Sequence, residues 1–133
     1  MEAVLRSGSV VAGGVLGTVA RWWVEGLFPQ SPPGFPWGTL LVNVTGAFAL
    51  GALGVILIEQ VVDVGYLRTF LGIGLLGSYT TFSTMALEGV QLIESRRLGL
   101  AASYWIATLA LGQMAGVYGM WLGRLRFPLR KER

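Results

Sequence analysis

Apolar residues run through the chain in four long blocks, and the gaps between charges place them at about residues 8–27, 37–58, 69–87 and 98–123. Each block is close to the ~20 residues that a helix needs to cross a bilayer. The pieces between them, at about residues 29–36, 59–68 and 88–97, are too short to form a soluble domain. The pattern therefore predicts one all-α membrane protein of four transmembrane helices, residues 1–133 forming a single domain. The first block lacks a convincing cleavage site and three more follow it, so it is expected to be an uncleaved helix rather than a signal peptide.

The third block departs from the greasy pattern of the others. From Gly74 to Met85 it reads Gly-Leu-Leu-Gly-Ser-Tyr-Thr-Thr-Phe-Ser-Thr-Met. Backbone polar groups in lipid must be satisfied internally, so a helix that breaks here has to bury the break in protein or line a wet cavity. The expectation is a broken third helix with an ion site at the break. At helical spacing Thr80, Thr84 and Glu88 share a face, with Gly77 three residues before, and Thr81 and Met85 form the adjacent stripe. Single hydroxyls in membrane helices often bond back to their own turn, but Thr80, Thr81, Ser83 and Thr84 stand within five consecutive positions. That density favours function over idle hydroxyls.

Two further polar groups lie inside the blocks. Asn43 sits within Gly38-Thr-Leu-Leu-Val-Asn-Val-Thr-Gly46, and an unpartnered amide in hydrocarbon costs on the order of several kcal/mol. It must face a neighbouring helix or a solvated path. Tyr104 and Thr108 stand one helical turn apart in the fourth block, with Gly112 next in the row.

Composition agrees with lipid as the solvent: 53% of residues are hydrophobic and 13% charged, with mean hydropathy +0.63, against roughly 25% charged residues in soluble domains. Trp22, Trp23, Trp37, Tyr66, Tyr104, Trp105 and Trp121 lie near the expected span ends, as in an interfacial aromatic belt. The absence of cysteine and histidine excludes disulfides, thiol nucleophiles, Cys/His zinc sites and Ser-His-Asp chemistry. The net charge of +3 comes from the tail Arg124, Arg126, Arg130, Lys131 and Arg133. Such a cluster suits anionic headgroups and gives no reason to expect nucleic acid.

Four spans put both termini on one side. Arg6, Arg68 and the five tail cations then stand against Arg21, Arg96 and Arg97, and without the tail the two sides nearly balance. A chain that inserts both ways and pairs antiparallel with itself is compatible with that balance. Gly13 to Gly17, Ala47 to Gly51, Gly112 to Gly116 and Ala115 to Gly119 to Gly123 fit the small-xxx-small spacing of helix seams, within or between subunits.

No charged residue lies deep in any block: Arg21 and Glu88 are near expected ends, where long side chains snorkel. A proton-coupled pump usually keeps an intramembrane carboxylate. The small multidrug exporters are similar in size but need a glutamate midway along their first helix, and here only Glu25, at its far end, is present. Interior donors are neutral: amide, hydroxyls and the positive edges of phenylalanine rings, which favour a small anion. Carbonyls freed by a broken helix would favour a cation.

With those features in hand the chain resembles the Fluc/CrcB family of fluoride channels. The resemblance is carried by Gly13-Gly-Val-Leu-Gly-Thr-Val-Ala-Arg21, by the segment around Asn43, and most specifically by Gly74 to Thr84. It implies an antiparallel, dual-topology homodimer in the cell inner membrane, with two passive fluoride pathways built from both subunits. On the resemblance, Asn43 donates to fluoride and Phe82 presents its ring edge. Ser83 and Thr84 line a polar track with Tyr104 and Thr108, Arg21 stands at the vestibule, and Glu88 near the pathway's end. The backbone carbonyls of Gly77 and Thr80 would hold a central structural sodium ion. The family usually has a second phenylalanine where this chain has Met85, whose thioether offers no aromatic edge. Two other readings are a small multidrug-type proton-coupled exporter and a structural subunit whose polar residues only glue helices together.

Overall fold

The computed structural model describes residues 1–28, 34–59 and 65–126. Among the described residues four helical stretches are long and apolar enough to cross a membrane: Glu2–Gly26, Trp37–Leu57, Gly65–Glu94 and Leu98–Arg126. The helices overrun the apolar blocks at several ends because backbone hydrogen bonding continues past the last residue that lipid must cover. The first span is α1 (Glu2–Gly26), and the second is α2 (Trp37–Gly54), which widens into a π-helical turn at Val55–Glu59. Within the third, α3 occupies residues 65–79 and α4 is Phe82–Glu94; the last is α5 (Leu98–Arg126). Cations Arg130, Lys131 and Arg133 of the tail lie outside the described residues.

Residues 69–76 of α3 are π-helical, a form rare in long runs and frequent at functional sites. This wide segment lies along α1 at very short range. A Cβ on Gly13 would collide with Phe70 O, and one on Gly17 with Leu75 O. On the other side of the chain α2 packs along α5 in its most extensive helix contact, where Gly51 meets Gly116 O and Gly119 meets Phe48 O. These glycine seams therefore join helices of one chain.

The buried cluster is small: Leu40, Met85, Leu92, Ala101 and Tyr104, flanked by Phe35 and Trp105. Most other large apolar side chains point outward, which costs little in lipid because the tails are as apolar as the side chains. Helix α4 is closed by Arg96, whose φ of 57° is left-handed. Its amide bonds Ile93 O and the Arg97 amide bonds Leu92 O, the paired bonds of a Schellman end in which glycine is the usual residue. The turn that results sends α5 back along α4, and this pairing brings Tyr104 opposite Glu88.

Candidate functional site

Two consecutive residues inside the third span leave the helix. Thr80 has φ −75° and ψ 152°, and Thr81 has φ −144° and ψ 119°. What holds them is the Asn43 side chain on α2: its Nδ2 donates to Thr81 O at 2.9 Å, and the Thr81 amide donates to Asn43 Oδ1 at 2.8 Å. The amide thus stands in for the helix neighbours that Thr81 has lost. Thr81 Oγ1 in turn accepts from the Thr84 amide at 3.2 Å, an N-cap that restarts the helix at Phe82. The same hydroxyl donates to Thr84 Oγ1 at 2.9 Å and lies 3.3 Å from Ser83 Oγ. Thr80 closes the preceding turn, its Oγ1 donating to Leu76 O at 3.0 Å.

This pattern has a consequence for two carbonyls. In a continuous helix the amide of residue i serves the carbonyl of residue i−4, so Thr81 N would serve Gly77 O and Thr84 N would serve Thr80 O. Both amides are instead taken by side-chain oxygens. Gly77 and Thr80 are therefore deprived of the helical partners their carbonyls would have had. Asn43, by contrast, keeps capacity to spare: its NH2 group carries two hydrogens, and one is committed to Thr81 O.

Phe82 and Met85 differ sharply in burial. Phe82 is 77% exposed, whereas Met85 is 7% exposed and belongs to the buried cluster with Leu40 and Tyr104. Ser83 is exposed and Thr84 half-buried beside them. The shared face of Thr80, Thr84 and Glu88 is interrupted, because the extended residues reset the helical phase between Thr80 and Thr84.

A second polar group forms further along α4. Glu88 accepts from Thr39 Oγ1 at 2.9 Å through Oε1 and from Tyr104 OH at 2.7 Å through Oε2. Both donors are almost fully buried, Tyr104 at 0% and Thr39 at 1% exposure. Thr108, one turn beyond Tyr104, spends its hydroxyl on Tyr104 O at 2.8 Å. Arg21 stands one turn before Glu25 near the end of α1. The site residues thus divide into two groups: Asn43, Thr80, Thr81, Ser83 and Thr84 around the extended pair, and Thr39, Glu88 and Tyr104 at the far end of α4.

Several participants carry no strong mark in the sequence. Thr39 is one hydroxyl in an apolar helix, and its distance from Glu88 along the chain hides the pairing. Thr45 Oγ1 and Tyr79 OH lie 2.9 Å apart and tie α2 to the end of α3. Trp105, in the aromatic belt of the sequence, lies with its indole against the Gly89 backbone so closely that a Cβ there would overlap Nε1. Among the described residues no cluster of three or more His, Cys, Asp or Glu is placed to hold a metal ion.

Residues 9–120 match the family described as CrcB-like protein, Camphor Resistance (CrcB). A relative in Mycobacterium bovis, "Fluoride-specific ion channel FluC 1", is 43% identical over 107 residues, covering 80% of this chain and 81% of its own. "Fluoride-specific ion channel FluC" of Agrobacterium fabrum is 40% identical over 120 residues, or 89% of this chain and 95% of that one. The Hydrogenobaculum protein of the same name is 38% identical over 117 residues, with 88% and 96% covered.

Proposed function

The chain belongs to the CrcB-like protein family, and from that premise we propose that it is a passive fluoride-selective channel, an ion-conducting protein and not an enzyme. The multidrug-exporter reading has no support from these relatives, and the absence of a mid-span glutamate in α1 argues against it as well. Fluoride crosses membranes as the neutral acid and is trapped as the anion where the pH is higher. A selective leak then suffices for export, and no energy-coupling site is required.

The observation that carries the reading is the Asn43–Thr81 pair. It holds an interruption open in the middle of a membrane span using uncharged groups alone, and it leaves Asn43 one N–H for an anion. Fluoride loses strong hydration on leaving water, so replacement donors must be close and fixed. The remaining Asn43 N–H, the hydroxyls of Ser83 and Thr84 and the ring edge of Phe82 are of the right sign. Tyr104 and Thr108 stand further along α5 with their hydroxyls given to Glu88 and to Tyr104 O, so they would join the track only by exchanging those partners for the ion, while Arg21 draws anions to the mouth. An anion that reaches the far group has to compete with the Glu88 carboxylate for the hydroxyls of Thr39 and Tyr104.

The working unit in this proposal is an antiparallel homodimer in the cell inner membrane, each subunit inserted in the opposite sense. The near balance of flanking arginines supports that arrangement, and so does the outward position of Phe82, whose ring would complete a pathway at the partner's surface. Met85 faces the protomer's own core, so each subunit brings one aromatic station and not two. The residues fit a structural sodium ion: the carbonyls of Gly77 and Thr80 from both subunits are hard oxygen donors that side chains have relieved of their helical amides. Sodium bound there would supply fixed positive charge at the dimer axis.

Fluoride efflux from reconstituted vesicles, followed with a fluoride electrode, tests the function. Fast efflux without a proton gradient and without chloride loss is expected. Drug-for-proton exchange, or no transport at all, would overturn it.

A further inference from the structure

Consecutive residues at the interruption of the third span are each met by a different residue of α2. Thr81 is held by Asn43, and Tyr79 by Thr45, their hydroxyl oxygens 2.9 Å apart. The direction of the second bond follows from counting hydrogens. A hydroxyl has one, and Thr45 gives its own to Leu41 O at 2.7 Å, so Tyr79 OH is the donor. Thr80, between them, lies against Gly46 so closely that a Cβ there would overlap Thr80 Cγ2 and come within 3.2 Å of Tyr79 Cδ1. Gly46 is buried within α2 and has no positive φ, so it is closeness to Thr80, not backbone freedom, that requires glycine here.

Thr80 is thereby fixed through its amide, its hydroxyl and its methyl group. The amide and Oγ1 both donate to Leu76 O, at 3.1 and 3.0 Å, while the methyl group rests on Gly46. A β-branched side chain is stiff at χ1, so the methyl group cannot swing clear of α2 without giving up the Leu76 bond. The peptide plane that follows is held as well. In a trans peptide the N–H and C=O of one plane point opposite ways, and Asn43 Oδ1 binds the Thr81 amide, which turns the Thr80 carbonyl away from Asn43. We infer that Thr45, Gly46 and Tyr79 are positioning residues for that carbonyl: the Tyr79–Thr45 bond and the Thr80–Gly46 contact set how far the interruption stands from α2, and so where the Thr80 oxygen meets a cation. The inference rests on the sodium reading of the site and adds that residues which are not ligands set its affinity.

Melting temperature in detergent is followed as sodium replaces a bulky organic cation at constant ionic strength, with fluoride efflux measured beside it. An ion that binds only the folded protein raises the melting temperature once its concentration passes the dissociation constant, so the onset of the rise reads affinity apart from conduction. Tyr79→Phe and Thr45→Val should each move the onset to sodium concentrations about two- to tenfold higher, the span that one ordinary hydrogen bond is worth. The double variant should go no further than either alone, and Thr45→Ser, which keeps the hydroxyl, should match the wild type. Gly46→Ala should lose the sodium response. Combined with Thr80→Ser, which removes the obstructing methyl group and keeps the hydroxyl and carbonyl, it should regain the response; where Gly46→Ala alone does not fold, the two hydroxyl variants decide. A purely structural role lowers the melting temperature equally with and without sodium and leaves the onset in place. That result in Tyr79→Phe and Thr45→Val overturns the inference, as does a folded Gly46→Ala, Thr80→Ser protein that ignores sodium. A wild type whose melting temperature does not respond to sodium sinks the sodium reading itself, and the inference with it.

Discussion

Asn43 and Thr81 exchange two hydrogen bonds, side-chain amide to backbone carbonyl at 2.9 Å and backbone amide to side-chain carbonyl at 2.8 Å. Asn43→Leu strands the two backbone groups in an apolar span, and each buried unpaired group costs about 1–3 kcal/mol. The variant should unfold at lower temperature in detergent and conduct no fluoride. Asn43→Asp keeps the acceptor for the Thr81 amide, so it should be less destabilised, yet its charge should still abolish anion flux.

If Phe82 lines the ion's route as proposed, substitutions at Phe82 and Met85 should separate conduction from packing. Phe82→Ile alters an exposed ring and should lower fluoride flux strongly while leaving the melting temperature nearly unchanged. Met85→Leu conserves volume in the buried cluster and should cost under about 1.5 kcal/mol, with little loss of flux. Met85→Phe, which would restore a second ring, should instead destabilise by about 1–3 kcal/mol by overfilling the space beside Leu40 and Tyr104. Equal flux losses in Phe82→Ile and Met85→Leu would contradict these roles.

The glycine seams make a graded prediction. Gly119→Ala drives a methyl group into Phe48 O, and Gly17→Ala does the same to Leu75 O, whereas a Cβ on Gly112 meets nothing within 4 Å in the protomer. The first two variants should express poorly or elute as aggregates, and Gly112→Ala should yield a folded protomer. Gel-filtration profiles of the three proteins compare them directly.

How far the sequence reached follows from what each feature depends on. Four helices able to span a membrane follow from one-dimensional spacing of charges, and 53% hydrophobic composition leaves few other ways to place them. The site was legible as residue types in a window: Asn43 in one block, and a dense run of hydroxyls in another. What those groups bond to was not legible. Asn43 meets Thr81 across 38 positions and Thr39 meets Glu88 across 49, and no local periodicity encodes such pairings. Thr108 shows the converse, for its hydroxyl takes the nearest carbonyl on its own helix. Glu25 looked peripheral in the sequence because position along α1 does not reveal that α2 approaches its end at Gly38.

Sodium is testable apart from fluoride selectivity. If the carbonyls of Gly77 and Thr80 hold a structural ion, exhaustive replacement of sodium by a bulky organic cation on both sides should reduce flux to the level of empty vesicles. Readdition of sodium should restore it. Unchanged flux in the absence of sodium removes the ion from the account.

The most direct measurement is fluoride efflux from vesicles holding the wild-type protein beside vesicles holding Asn43→Asp, with fluoride and chloride recorded together. Uncharged donors fixed around the Asn43–Thr81 pair predict rapid fluoride release with chloride retained in the first, and silence in the second. Equal release of both halides by the wild type, or fluoride flux that survives Asn43→Asp, would contradict the account.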